Sequence, residues 1–173
     1  MLNSFLLIGT FGISLWNGQL LHYIGFLIFF IPLRIFIGGY HAKRSETCFC
    51  LSVATYVITL WIAKNYSGIY QNTKMVVLMT ITLIVVFIWS PVKNENHPLT
   101  EYQYKRNKII TLGITISEIV MFTIFTGLGW EIASSQMIFI LLNGIIFFMG
   151  KMSYILKNSG YFRQNLETVI PEK

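Results

Sequence analysis

Six runs of apolar residues, at 2–16, 20–37, 49–63, 75–91, 109–128 and 137–156, constrain this chain more than any other feature. About 20 such residues cross the hydrocarbon core of a bilayer as a helix, because a helix satisfies its own backbone N–H and C=O groups where no water can. The last two runs meet that length alone. The runs at 2–16 and 49–63 are short and need interfacial residues such as Trp16, Trp61 and Tyr66 to reach the headgroups. Of 173 residues, 54% are hydrophobic and 12% charged, about half the charged share of a soluble domain and too little to cover a water-facing surface. The predicted fold is therefore an all-α polytopic membrane protein, a six-span helical bundle. Its first run starts almost at Met1 with no basic leader or small-residue cleavage site, and so reads as a span rather than a signal peptide.

Orientation follows from the basic residues, because cytoplasmic loops hold the Lys and Arg excess. With Met1 inside, the cytoplasmic side collects Arg34, Lys43, Arg44, Lys93, Lys105, Arg106, Lys108, Lys151, Lys157, Arg163 and Lys173, and the outside only Lys64 and Lys74. Both termini are thus predicted cytoplasmic, as is the longest polar segment, Val92–Lys108. The formal net charge of +6 reports this topology. A nucleic-acid partner would need a basic face on a water-soluble element, which the hydropathy pattern does not offer. No fixed-period repeat or Pro- or Ser/Gly-rich linker divides the chain. Residues 1–156 read as one transmembrane domain and 157–173 as a cytoplasmic tail.

Chemistry concentrates in the turn between the second and third runs, Arg34-Ile35-Phe36-Ile37-Gly38-Gly39-Tyr40-His41-Ala42-Lys43-Arg44-Ser45-Glu46-Thr47-Cys48. The glycine pair ends a helix and lets the chain turn at the membrane face. Ser45 or Thr47 can cap a new helix with Cys48 in its first turn, where unpaired N–H groups and the positive end of the helix dipole favour a thiolate. Lys43 and Arg44 act in the same direction. His41 is a candidate base. On one straight helix it would lie about 10 Å along the axis from Cys48, so a Cys-His pair for acyl transfer requires a bend. Spacing alone leaves a plainer reading open, with His41 at the interface and Cys48 as a small packing residue.

Gly38-Gly39-Tyr40-His41-Ala42, then Cys48 seven residues after the histidine and Ser52 beyond it, resembles the accessory gene regulator B (AgrB) family. A second match is Ser90-Pro91-Val92-Lys93 with His97-Pro98-Leu99, similar to the loop after the family's fourth span. The matching segments cover roughly residues 30–110. The resemblance implies a membrane cysteine endopeptidase of a Gram-positive bacterium, with its active site at the cytoplasmic face. Its partner would be an AgrD-like amphipathic propeptide, cleaved near its C-terminus on the way to a cyclic autoinducing peptide for quorum sensing. The catalytic histidine then falls on His41 and the nucleophile on Cys48, with no cofactor. At the N-terminus this chain departs from the family, starting in apolar sequence where the family has a longer amphipathic segment. That puts docking of the propeptide through such a segment in doubt.

Other polar residues carry weaker signals. Aspartate is absent, so any mechanistic carboxylate is one of seven glutamates. Glu46 could orient His41 or simply be solvated, and Ser45 and Gly39 are further supporting candidates in the turn. Cys50 lies about 200° around a helix from Cys48, cannot share its partner, and reads as a small buried hydrophobe. His22 falls near the outer end of the second run. His22, His41, His97, Cys48 and Cys50 lack the local spacing of a metal site and would span two membrane faces. Glu118, mid-span, must face protein or water. It either lines a substrate groove or proton path, with Lys43 and Arg44 as groove candidates at the surface, or is a hydrogen-bonded structural group. Glycines such as Gly25, Gly113 and Gly144 fit close helix approach and leave a homodimer open, although no GxxxG within a span specifies one. The rival function is a non-enzymatic peptide exporter or scaffold. The chain has no G-x-x-x-x-G-K-[ST] motif, so export driven by nucleotide hydrolysis would need another subunit.

Overall fold

The computed structural model describes residues 2–38, 45–66, 68–92 and 99–169, and the side chains of 7–38, 49–66, 68–92 and 99–156. The described residues form helices throughout: α1 (Leu2–Trp16), α2 (Leu20–Ile37), α3 (Ser45–Asn65), a 3-10 turn (Ile69–Gln71), α4 (Thr73–Trp89), α5 (Glu101–Gly127) and α6 (Ile132–Val169). Each of the six long helices covers one apolar run. Three, Leu20–Ile37, Glu101–Gly127 and Ile132–Leu156, are long and apolar enough to cross a membrane, and Leu7–Trp16, Phe49–Asn65 and Thr73–Trp89 are shorter apolar helices.

The polar sides of these helices point inward. Along α5 the buried positions are Asn107, Thr111, Thr115, Glu118, Phe122 and Phe125, a helical face at spacings of three and four that is mostly polar. Its outer face is apolar, with Ile109, Leu112, Ile116, Ile119, Val120 and Ile124 exposed. On α3, Ser52, Thr55, Tyr56, Thr59, Leu60 and Ala63 form a buried face of the same period, while Val57, Ile58 and Trp61 are exposed. In water such helices would turn the other way. In lipid the arrangement is stable, because hydroxyls and amides find partners only inside the protein. Thr55, Thr59 and Thr115 each donate to the carbonyl one turn earlier, at 2.8–2.9 Å, and so cost the interior no unpaired hydroxyl.

Helix α6 is the centre of the bundle, packing against α2, α3, α4 and α5. Residues 132–140 are buried without interruption. Its Phe139 ring meets Phe26 and Phe30 of α2 at centroid distances of 5.7 and 5.9 Å, and Phe26 also meets Tyr56 of α3 at 4.9 Å. Helix α2 widens into a π-helical segment over Phe26–Phe30, where the Ile31 N–H reaches back five residues to the Phe26 carbonyl. Pro32 gives the reason: it lacks an N–H, and in a regular helix its ring would press on the carbonyl four residues back, at Ile28. Asn143 of α6 donates its Nδ2 to the Phe30 carbonyl at 3.2 Å, anchoring this segment to the bundle centre.

Two helices reach further than hydropathy indicates. Helix α5 starts at Glu101, in the polar segment, because Thr100 and Gln103 form a capping box: the Gln103 N–H donates to Thr100 Oγ1 at 3.3 Å and the Thr100 N–H to Gln103 Oε1 at 3.0 Å. Helix α6 runs on past position 157 to Val169, so no break in secondary structure marks where the predicted tail begins.

Candidate active site

Helix α2 stops at Gly38, whose φ of +70° and ψ of −150° fall in a region reserved for glycine. The stop is also an anchor. The Ile37 carbonyl accepts a hydrogen bond from the Val92 N–H at 3.1 Å, and the Val92 backbone lies so close that a Cβ on Gly38 would sit 3.0 Å from its carbonyl oxygen. Leu33, Ile37, Val86, Val92 and Phe147 close a small apolar cluster beneath this contact. The end of α2 and the segment after α4, far apart in the chain, are therefore joined backbone to backbone. These are the two segments that carry the family-like motifs.

The end of α4 is held from two sides. Lys108 of α5 donates its Nζ to the Phe87 carbonyl and, at 3.0 Å, to the Ile88 carbonyl, and lies 5.4 Å from the centroid of the Phe87 ring. Lys151 of α6 sits over the Trp89 ring at 3.7 Å. A cation near a helix C-terminus is favourable because the carbonyl ends there carry partial negative charge.

Of the residues predicted to carry chemistry, Gly39, His41, Lys43 and Arg44 lie outside the described residues. Ser45, Glu46 and Cys48 occupy the first turn of α3 as backbone. Helix α2 ends at Ile37, with Gly38 outside helical geometry, and the described part of α3 starts at Ser45, so the relation of position 41 to position 48 lies outside the described residues. Cys50 is exposed and free, not the buried hydrophobe its apolar surroundings in the sequence indicate, because its face of α3 points out of the bundle.

Glu118 is 2% exposed at the contact of α5 with α6. Gln136, fully buried, donates its Nε2 to Glu118 Oε2 at 2.7 Å and to the Glu118 carbonyl at 2.8 Å. The Glu118 side chain is engaged in the bundle interior. An apolar groove of about 540 Å³ runs between α4 and α5, with Leu83, Phe87, Leu112, Ile116 and Ile119 among its walls, and the Glu118 side chain is not part of them. His22 is half-buried with Nδ1 2.6 Å from Ser135 Oγ of α6. Among the described residues no three His, Cys, Asp or Glu side chains come together as a metal site requires. Sequence reasoning missed Gln136, Asn143 and Lys108 as organising residues. For Lys108 a signal existed, since Pro91 leaves a helix carbonyl without its donor.

The family model for accessory gene regulator B matches residues 1–157. An AgrB-like protein of Clostridium perfringens (strain SM101 / Type A) is 29% identical over 147 residues, covering 79% of this chain and 68% of the relative. The accessory gene regulator protein B of Staphylococcus intermedius is 23% identical over 124 residues, covering 72% of this chain and 61% of the relative. That of Staphylococcus saprophyticus is 28% identical over 116 residues, 66% of this chain and 59% of the relative. The chain thus spans about three-fifths to two-thirds of the length of these relatives. No solved structure matches it. With the motif-bearing ends of α2 and α4 joined and the family model covering α1 to α5 and most of α6, the chain belongs to the accessory gene regulator B family.

Proposed function

We propose that this protein is a multi-pass membrane cysteine endopeptidase, with six spans and both termini cytoplasmic, that processes an AgrD-like amphipathic propeptide. The observation that supports the reading is the stop of α2 at Gly38, packed against the Val92 backbone, ahead of an α3 whose first turn holds position 48. In this reading the histidine between the two helices and the cysteine in the first turn of α3 come together, and His41 takes the thiol proton of Cys48. The thiolate attacks a peptide carbonyl near the C-terminus of the propeptide, and backbone N–H groups at the start of α3 receive the developing oxyanion. Collapse breaks the C–N bond, and His41 returns the proton to the departing amine. The enzyme is left as a thioester.

A thiol within the bound peptide then attacks that thioester carbonyl, forming the ring and regenerating Cys48. One thioester replaces another at little cost, whereas a thiolactone made directly from an amide would lie uphill. Exclusion of water protects the intermediate. Glu46 serves as the orienter of His41 in a chain without aspartate, Ser45 and Gly39 shape the turn, and Lys43 and Arg44 favour the thiolate and face the peptide.

The test is propeptide cleavage by purified protein in liposomes. Cys48→Ala and His41→Ala should each abolish cleavage while the protein still inserts and binds peptide. The double variant should be no worse than either alone, because the two act as a unit. A hydroxylamine-sensitive adduct on Cys48 should accumulate when the cyclising residue of the peptide is replaced by Ala. Cleavage by Cys48→Ala refutes the mechanism. The rival exporter makes the opposite demand: it tolerates Cys48→Ala and loses activity with Glu118→Gln.

A further inference from the structure

A helix end ordinarily leaves its last four carbonyls without intrahelical donors, and here the chain following α4 makes the shortage specific. The Val86 carbonyl is served by the Ser90 N–H at 2.9 Å. Next in the ladder is Phe87, whose donor would be residue 91, but that is Pro91 and has no N–H. The donor for Ile88 would be Val92, and its N–H is turned away to the Ile37 carbonyl on α2. Phe87 and Ile88 are the two carbonyls that Lys108 Nζ takes. A side chain from another helix, 20 residues further along, replaces the two backbone donors that the Pro91-Val92 step withholds.

We propose that Lys108 is a positioning residue for the Cys48–His41 chemistry, taking the two α4 carbonyls left open by Pro91 and Val92 so that the Val92 N–H stays on Ile37 and holds the end of α2 that precedes His41. Without the Lys108 ammonium the two carbonyls lose their cross-helix donor, and Val92, whose N–H a continued helix would give to Ile88, is the backbone group drawn back to them. Its return to the α4 ladder releases Ile37 and the backbone packed on Gly38. Lys108 acts through three links, Ile88, Val92 and Gly38, and touches no reacting atom. The inference rests on the peptidase reading of the Gly38–Cys48 turn.

The experiment uses the full chain in liposomes in a Cys50→Ser background, reading propeptide cleavage and the pH dependence of Cys48 alkylation by iodoacetamide. Lys108→Met should lower kcat at least tenfold with KM within twofold, and should move the midpoint of Cys48 alkylation toward that of an ordinary thiol. Lys108→Arg, which still donates to two carbonyls, should restore most of both. Lys105→Met, which removes only an exposed pair with Glu101 at 3.4 Å, should behave as wild type. If Lys108→Met does not insert, Lys108→Leu carries the same comparison, because it likewise cannot donate. Wild-type kcat and alkylation profile in the Met or Leu variant overturn the inference, and so does a loss confined to KM, which would make Lys108 a substrate contact. The two readings fail separately: cleavage by Cys48→Ala removes the peptidase mechanism, whereas an inactive Cys48→Ala beside an unaffected Lys108→Met removes only the role of Lys108.

Discussion

At the scale of single residues, Gly38 bears the strictest demand. A side chain there is opposed twice, by a positive φ that only glycine adopts readily and by the Val92 backbone 3.0 Å from the new Cβ. Backbone atoms cannot rotate aside as a flexible side chain can. Gly38→Ala should therefore cost about 1–3 kcal/mol in strain or break the Val92–Ile37 link. Either outcome should lower propeptide cleavage more than insertion or helicity, as measured by cleavage rate beside circular dichroism. Full activity in Gly38→Ala would mean that the turn does not depend on this anchor. Gln136 shows a different residue-level logic. Its Nε2 reaches both the carboxylate and the backbone carbonyl of Glu118, whereas its Oε1 has no partner in the structure. The amide is oriented by its acceptors, and it fixes the register of α5 against α6.

Among elements, α4 and α6 approach closely at Gly144. A Cβ at Gly144 would run into the Cγ2 methyl of Thr82. Thr82 is β-branched, and its hydroxyl is tied to the Leu78 carbonyl at 2.8 Å, so the methyl cannot swing away cheaply. Gly144→Ala should push the helices apart at a cost of about 1–3 kcal/mol, as overpacking does in a close-packed interior. Thr82→Ser deletes the offending methyl and keeps the hydroxyl, so the double variant should regain most of the loss. Thermal unfolding in detergent of the two single variants and the pair forms the double-mutant cycle. Additive losses would show that the two positions do not touch. Sequence displayed Gly144 as one of several glycines suited to close approach, but only the rotation of α4 chose its partner.

For the whole molecule, the governing fact is an apolar exterior around a polar seam. Trp16 is 92% and Trp61 63% exposed, which in water would be a liability and at a bilayer interface is an anchor. Three helices have the length to cross, and the eleven-to-two division of basic residues belongs to the proposed six-span arrangement with Met1 inside. The six-span arrangement can be checked with single cysteines in a Cys48→Ser, Cys50→Ser background. In intact cells an impermeant maleimide should label Gln71→Cys, which lies on an exposed turn, and should leave Lys43→Cys unlabelled until the membrane is opened. Labelling at position 43 from outside, or none at 71, would put the Gly38–Cys48 turn in the wrong compartment for a newly made propeptide. Tyr70, next to Gln71, is buried and would give a misleading negative at the same loop.

Much of this protein is legible along the chain. All six helices coincide with apolar runs because a segment in lipid must satisfy its own backbone, and length and hydropathy alone decide which segments do so. The end of α2 at Gly38 is likewise a local matter of glycine freedom. The start of α5 was overlooked because hydropathy is blind to polar helical turns, although Thr100-Glu101-Tyr102-Gln103 carries a capping-box signature. His41 and Cys48 were singled out by residue type and motif. The tertiary structure decided the rest: that Val92 crosses to Ile37, that Lys108 fills the gap behind Pro91, that Glu118 finds Gln136, and that α6 lies at the centre. These pairings depend on how each helix is rotated about its axis. In a helix apolar on most sides, periodicity does not encode that rotation, and it is settled only when the few buried polar groups find one another.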